Sequence, residues 1–467
     1  MSIIEKCDGL PLAVKVIGGL LRQRNTRQSD WKNVLNDSTW LVSQMPEDLN
    51  YAIYLSYQDL HHDLKSCFLH YALLPKSTIF SHDCIIAMWI SEGFIHGNSQ
   101  DFEVLGREYY DQLIARNLLE PVPRFVDQGV CNMHDVIRSF AQYLARDEAM
   151  IAHKSEAGLI NYINPQNVFR ISLKTKGSES NEHGWSSLQA HISLRTLILV
   201  GGIKINPDDS VIFSMFADST YRRWKFRCIV RILVPTQTLE CIDLSNCKSL
   251  VKLPGGVGRL HQLRYLSLFD SGINNIPKGL GGLTNLRILK GFPAHVEGDC
   301  CSLEELGSLN QLMVLHIHGH GLENVSSSSF AIKARLGEKV HLSFLYLECT
   351  SRRGGAQRLV KHEEQQETEK VLDELCRPPC LENLKIQGYL SQLLPRWMTS
   401  TAMASLGSLR NLAMEDLPYC AELPDGLFQL PSLELLQIES APAIKRVGPE
   451  FLIPHHHELP GGSDFKN

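Results

Sequence analysis

Several things are missing from this sequence, and each absence narrows what the chain can be. No stretch approaches the roughly 18 uninterrupted apolar residues that a membrane-spanning helix needs. The first dozen residues carry Glu5, Lys6 and Asp8 where a signal peptide would be apolar. The expectation is a soluble, cytoplasmic protein without a transmembrane segment. Charge of one sign is not in excess either, with 46 Lys and Arg against 51 Asp and Glu for a net charge of -5, so nothing calls for a nucleic-acid partner. There is no pair of C-x-x-C motifs. The 13 cysteines are odd in number and scattered through apolar contexts such as Cys67, Cys84, Cys241 and Cys349, which suits reduced core thiols better than a disulfide framework. Cys300-Cys301 and the Cys376/Cys380 pair lack metal-ligand spacing, so no metal is expected. No nucleophile–base–acid set is visible, and the expectation is that the chain is not an enzyme.

What is present is an ordinary globular composition, 43% hydrophobic and 21% charged over 467 residues, long enough for two or three domains. From Leu239 to Ile438 one pattern, L-x-x-L-x-L, keeps returning. Its copies start at Leu239, Leu263, Leu286, Leu312, Leu342, Leu381, Leu409 and Leu433, separated by 24, 23, 26, 30, 39, 28 and 24 residues on subtracting the numbering. Leucine-rich repeats run about 20–29 residues, so the two longest intervals carry insertions. Each copy reads as a short strand with alternate residues inward and a return segment stacked on its neighbour, because no copy can bury its own leucines alone. Pro254, Pro277 and Pro424 close the same half-turn in three copies.

The N-terminal third is different. Leu12, Val16, Leu20 and Leu21 repeat with helical period, Pro11 is placed to open that helix, and Trp31, Leu35 and Trp40 continue a helical pattern. Helices follow from Asp48, one of them stopped by Gly93. A Pro-containing turn over Pro121 to Gly129 and a returning strand over Cys131 to Met133 precede a helix from Val136 to Arg146 with Asp135 as its cap. Helices, a small hairpin and another helix suggest a winged helix.

Gly9-Leu10-Pro11-Leu12-Ala13, then Cys67-Phe68-Leu69-His70-Tyr71-Ala72-Leu73-Leu74-Pro75, then Met88-Trp89-Ile90-Ser91-Glu92-Gly93-Phe94-Ile95, then Met133-His134-Asp135-Val136 occur in that order before the repeats. Together they resemble plant NB-ARC leucine-rich-repeat disease resistance proteins, and the second motif resembles their coiled-coil (non-TIR) branch. The resemblance implies a multidomain α+β chain. Residues 1–45 would be a helical remnant of the nucleotide-binding region, 46–150 a winged-helix domain, 151–190 a linker, 191–455 an α/β leucine-rich-repeat solenoid and 456–467 a disordered tail. It also implies an ADP/ATP switch in which Pro11 lies against adenine and His134 reaches the β-phosphate. Gly9, Leu10, Leu12, Met133 and Asp135 would complete the two switch motifs. Read from the residues alone, His134 is more readily a structural residue between a strand and a helix cap.

The sequence departs from that family in one respect: no G-x-x-x-x-G-K-[ST] loop occurs in it. Without the backbone cradle and lysine of that loop, catalysis and tight ADP binding by this chain alone are not expected. The implied function is an intracellular immune receptor fragment whose repeats recognise a pathogen effector or a guarded host protein and restrain the switch by packing on the winged-helix domain. The competing expectation is a non-signalling interaction module: a decoy, a regulator of intact receptors or a pseudogene product.

If the solenoid curves, the residue between the last two apolar positions of each copy faces the concave side. These are Asp243, Ser267, Lys290, His316, Tyr346, Lys385, Ala413 and Gln437, a mixed set suited to a protein partner. His316, His318 and His320 alternate and could share a face, with a solvated strand favoured over a metal site. The charged interval from Leu347 to Leu381 reads as an exposed helix with a charged outer face.

Overall fold

A computed structural model describes residues 2–7, 9–24, 28–37, 51–74, 81–96, 101–123, 129–146, 149–153, 170–174, 196–200, 225–227, 240–245, 253, 255–293, 300–318, 328–349, 362–375, 378–398, 406–423, 427 and 430–444. Its contacts fall into two compact units, Met1–Ile273 and Asn274–Asn467. Trp40, His320 and the tail from 456 lie outside the described residues.

The first unit begins with α1 (Ile3–Lys6), which carries a capping box: the Ser2 hydroxyl accepts from Glu5 N at 3.2 Å and Ser2 N donates to the Glu5 carboxylate at 2.7 Å. Gly9 turns the chain at φ +69, and Pro11 then takes the first position of α2 (Pro11–Gln23), where its missing N–H breaks no helical bond. The apolar stripe of α2, with Ala13, Ile17 and Leu20, packs with Val34 of α3 (Gln28–Leu35) and with Ala52 and Leu55 of α4 (Tyr51–Gln58). Trp31 departs from the expected apolar face of α3. It is 48% exposed while Val34 is buried, because Val34 is the residue that the stripe of α2 covers.

Helices α5 (His62–Tyr71), α6 (His82–Glu92) and α7 (Phe102–Ala115) lead to an antiparallel pair, β1 (Glu120–Pro121) with β2 (Cys131–Asn132), and to α8 (Asp135–Ala145). This is the winged-helix arrangement expected from the sequence. Gly93 ends α6 at φ +72, with Gly93 N bonded to Ile90 O and Phe94 N to Trp89 O. Phe68, Trp89, Tyr110 and Phe140 fill the core, Phe68 and Phe140 lying 6.4 Å apart. A Cβ on Gly19 would lie 2.6 Å from the Arg116 carbonyl carbon, so only glycine lets α2 approach the end of α7 this closely.

The same unit continues into parallel strands β3 (Ala149–His153), β4 (Arg170–Lys174), β5 (Thr196–Val200), β6 (Lys225–Arg227), β7 (Cys241–Asp243) and β8 (Tyr265–Ser267), paired in that order. The stretch expected as a linker over 151–190 therefore contains β4 and part of β3. Alternating Ile171 and Leu173 give it a strand that pairs with its neighbours in spite of the polar segment that follows.

The second unit holds parallel strands β9 (Ile288–Pro293), β10 (Val314–His318), β11 (Phe344–Glu348), β12 (Asn383–Gln387), β13 (Asn411–Glu415) and β14 (Leu435–Glu439). The three apolar positions of the repeat, such as Leu312, Leu315 and Ile317 or Leu342, Leu345 and Leu347, are fully buried. Burying a leucine of this kind contributes about 1.5–3 kcal/mol. In β9 the pattern slips: Gly291 adopts φ +76 at a bulge, and Phe292 rather than residue 291 takes the inward position opposite Ile317. The charged interval forms α10 (His362–Glu374), which follows α9 (Ser328–Lys333). It is a packed part of the unit. Val371, Leu372 and Leu375 are buried, Trp397 Nε1 donates to Leu372 O at 2.8 Å, and the Ser391 hydroxyl donates to Glu369 at 2.9 Å.

Candidate functional site

The expected switch residues lie at two helix starts in the first unit. Pro11 is exposed at the first position of α2, with Leu10 half exposed before it and Leu12 half-buried after it. His134, and not Asp135 as the sequence suggested, is the N-cap of α8: its Nδ1 accepts from Val136 N at 3.2 Å, and Asp135 becomes the first helical residue. A ring that accepts through Nδ1 carries its proton on Nε2 when neutral. That Nε2–H is the group that can donate to a phosphate oxygen. Met133, the residue before it, is buried at 4% exposure.

The second motif holds this loop in place, which sequence reasoning missed. Tyr71 Oη donates to Cys131 O at 2.6 Å, fixing the strand before His134. Arg138, one turn into α8 and 6% exposed, donates to the carbonyls of Ala72 and Leu74 past the end of α5, and Gln142 Nε2 donates to Ala72 O at 2.9 Å. The last carbonyls of a helix have no internal partners and attract a cation, which makes this a favourable place for a buried guanidinium. Burial lowers the Arg138 pKa, and the nearby Tyr71 and Asp135 oppose that shift.

Beside these helix starts lies a cleft of about 390 Å³ lined by Lys15, Asn117, Glu120, Pro121 and Asn132 among others. Lys15 pairs with Glu120 at 2.6 Å, and Asn117 Nδ2 donates to Lys15 O at 2.9 Å, so α2 is tied to the small hairpin. Neither Pro11 nor His134 lines the cleft, although Lys15 is one turn after the first and Asn132 two residues before the second. Asp59 receives both Arg24 and Arg116, the latter at 2.8 Å, which binds the end of α2 to the end of α7. Pro11 and His134, expected to meet the base and the terminal phosphate of an ADP, are both at exposed helix starts. The described residues offer no phosphate cradle, and the acidic Asp135 sits in the first turn of α8, where it opposes a second anion.

Two side-chain contacts attach the winged helix to the first repeats. Arg264, just before β8, donates from Nε at 3.0 Å and from Nη2 at 2.6 Å to Glu103 Oε1, and from Nη2 at 2.7 Å to Oε2, with its guanidinium 5.5 Å from the Phe102 ring. The Cys84 thiol of α6 donates to Asp243 Oδ2 at 3.1 Å, and Ser245 N donates to Asp243 Oδ1 at 2.9 Å. Ser267 shares a 2.7 Å hydrogen bond with the Ser245 hydroxyl. Asp243 and Ser267, expected on an open concave face, are each 1% exposed, a correction that follows from α6 packing against β7.

In the second unit the corresponding positions are in register, His316 beside Tyr346, Tyr346 beside Lys385, Lys385 beside Ala413 and Ala413 beside Gln437. Lys290 falls at the bulge of β9 and leaves this row. The His316 ring stacks on Tyr346 at 4.1 Å with planes 9° apart, and Lys385 Nζ lies 5.0 Å from the same ring. Lys385 also pairs with Glu415 at 2.6 Å, and the Tyr346 hydroxyl donates to Gln387. Two residues along, Glu348 lies 3.0 Å from His318 Nδ1 and 3.4 Å from His316 Nε2. Burial alone would raise the Glu348 pKa, but hydrogen bonds and charge from the two histidines outweigh it and hold the carboxyl at about 2. His316 is 3% exposed, a correction to its expected place on an open face, and burial lowers its pKa. Among the described residues no group of His, Cys, Asp and Glu is arranged to hold a metal ion.

Comparison with known proteins gives two domain matches. Residues 73–141 match the disease resistance protein winged helix domain, and residues 303–441 match the R13L1/DRL21 leucine-rich repeats. Over whole chains, the putative disease resistance RPP13-like protein 1 of Arabidopsis thaliana is 26% identical, covering 96% of this chain and 44% of that protein. The putative disease resistance protein RGA4 of Solanum bulbocastanum is 28% identical, covering 95% and 43%. The chain thus spans less than half the length of these relatives. Among the described residues no helix is long and apolar enough to cross a membrane.

Proposed function

We propose, from its similarity to plant disease resistance proteins and from a winged-helix domain joined to leucine-rich repeats, that this chain is the switch-and-sensor part of a cytoplasmic immune receptor. The observation that carries this reading is the double attachment of Glu103 to Arg264 and of Cys84 to Asp243, which ties the winged helix to β7 and β8 in one compact unit. A pathogen effector or a guarded host protein bound to the repeats shifts such a switch only if it binds the detached form more tightly than the attached one. Pro11 and the Nε2–H of His134 are the groups that would meet the adenine and a phosphate of ADP, and the negative charge of that phosphate would favour the attached form. Arg138 and Tyr71 keep the His134 loop in the position from which it donates.

The test joins this chain to the nucleotide-binding half of a relative and expresses the chimera in leaf tissue. Arg264→Glu releases the winged helix and gives cell death without a pathogen, and adding Glu103→Arg restores silence. Asp135→Val acts in the same direction through the His134 loop. Unchanged nucleotide retention and unchanged cell death in all three variants would reject the switch.

A second reading rests on the repeats themselves, whose in-register row of His316, Tyr346, Lys385, Ala413 and Gln437 is the mixed kind of surface that suits a protein partner. On that reading the chain is a decoy or a regulator of intact receptors and works through its repeats alone. An immunoblot of plant tissue separates the two: a band well above 52.6 kDa supports the receptor, and one at that mass supports the module.

A further inference from the structure

Three helices of the first unit end at one place. Arg24 is the C-cap of α2, Arg116 is the C-cap of α7, and Asp59 follows the last residue of α4, its N–H bonded to Leu55 O at 3.2 Å. A helix end presents unpaired carbonyls and a partial negative charge, so arginines suit this point and an aspartate does not. Asp59 stands there with its side chain 22% exposed, taking Arg116 Nη1 on Oδ2 at 2.8 Å and Arg24 Nη2 on Oδ1. Among the described residues neither arginine pairs with another acid.

The helix that leads to Asp59 is shared by two cores. Ala52 and Leu55 of α4 pack with α2 and α3, while the rings of Tyr54 and Tyr57 lie 6.2 and 5.8 Å from that of Phe140 in α8. Away from α4 the seam between α2 and the winged helix is polar. Asn117, at φ +56, donates to Lys15 O, and the Lys15–Glu120 pair is 50% and 35% exposed, a setting in which an ion pair contributes little. The pair of Asp59 with Arg116, whose side chain is 12% exposed, is the better buried ionic contact on that seam.

We propose that Asp59 is a charge clamp holding α2 against the winged helix, and that without its charge the same seam repels. With Asp59 in place, two cations share one anion. Without it, two guanidiniums that reached a single carboxylate face each other across the seam, one of them largely withdrawn from water. The close approach of Gly19 to the Arg116 backbone fixes the root of that side chain, so the repulsion is relieved by parting α2 from the end of α7. In the receptor reading, on which only this last step rests, that parting releases the switch by a route separate from the Glu103–Arg264 attachment.

The experiment follows amide hydrogen exchange in the purified full chain, with circular dichroism as the check of folding. Asp59→Asn keeps the size of the side chain and removes its charge. Exchange over Val16 to Gln23 should then be about tenfold faster while α8 changes little. The effect should shrink as salt rises from about 50 to 500 mM, because Arg24 is partly open to solvent. Arg24→Gln alone should stay within about twofold of the wild type, since Asp59 and Arg116 then form a one-to-one pair. Combining Asp59→Asn with Arg24→Gln should slow exchange relative to Asp59→Asn alone. A residue that served only as a hydrogen-bond acceptor predicts the reverse, because the double variant loses more contacts. Unchanged exchange in Asp59→Asn, a double variant that exchanges faster than the single one, or an effect indifferent to salt would overturn the clamp. If Asp59→Asn does not fold, recovery of folding in the double variant supports the clamp and continued failure overturns it. In the leaf chimera, Asp59→Asn should cause cell death without a pathogen, and adding Arg24→Gln should restore silence. A silent Asp59→Asn beside an active Arg264→Glu would overturn the regulatory role of the clamp, whereas silence of both would reject the receptor reading itself.

Discussion

The same repeat position has opposite fates in the two units. In the first unit Asp243 and Ser267 are sealed from water, the carboxylate taken by a thiol from α6 and by Ser245 N. In the second, Tyr346, Lys385 and Gln437 keep part of their surface, and their polar ends go to Gln387, Glu415 and Glu439 at the strand ends. One strand pattern therefore builds an internal attachment in one place and a partly exposed row of paired side chains in another. In the first unit it is α6 that packs on β7.

The comparison can be broken first at what both regions share. Leu266→Ala in the first unit and Leu345→Ala in the second, both fully buried, should each cost about 2–5 kcal/mol in urea unfolding. A much smaller loss at Leu266 would mean that the first repeats are held by the winged helix more than by their own leucines.

Next come the attachments. Arg264→Ala should destabilise the first unit by about 1–3 kcal/mol, because the bidentate pair is largely buried, with side-chain exposures of 20% and 11%. Lys385→Ala in the second unit should cost under about 1 kcal/mol, its ammonium remaining partly solvated. A Glu103/Arg264 double-mutant cycle with no coupling would show that the contact contributes nothing. Hydrogen exchange should meanwhile report faster opening of α7 and β8 in Arg264→Ala.

Acid distinguishes the units further. Glu348 falls from the usual 4.5 to about 2 in the folded chain, so its contribution is present above pH 4.5 and is lost as pH drops toward 2. Glu348→Gln should flatten the stability of the second unit across that window by on the order of 1–2 kcal/mol, measured by urea titration at each pH. A wild-type profile already flat between pH 4.5 and 2 would contradict the His316–Glu348–His318 arrangement. The smallest expected effect is at Asp416, which holds φ +54 directly after β13. Asp416→Gly should stabilise the second unit by a few tenths of a kcal/mol, since glycine adopts that conformation without steric cost. Equal or lower stability would mean the aspartate side chain compensates for its backbone.

Much of this was legible in the residues, for identifiable reasons. Period-two leucines in register specify a strand and a stack wherever they recur, so Leu312, Leu315 and Ile317 announce their burial. Local geometry also announces Pro11 as a helix start and Gly93 as a stop, because each satisfies a backbone requirement that few other residues meet. The winged helix was legible as an order of elements. His134 was found as a motif residue, but its capping role was assigned to Asp135 next door, since both residue types can accept from a helix N–H. The described structure puts Pro11 and His134 at separate helix starts, and it is Lys15 and Asn132, not these two, that line the neighbouring cleft.

The sequence by itself determined the repeats, their inward leucines, the helix-and-hairpin order before them and the kinds of side chain on the strand faces. These follow from periodicity and backbone chemistry, which act over a few residues. Only the tertiary structure decided that Glu103 meets Arg264 across 161 positions, that Cys84 covers Asp243 across 159, and that Glu348 gathers two histidines. Charge pairing and burial depend on distance in space, and a chain long enough to fold back on itself does not record that distance in its order of residues.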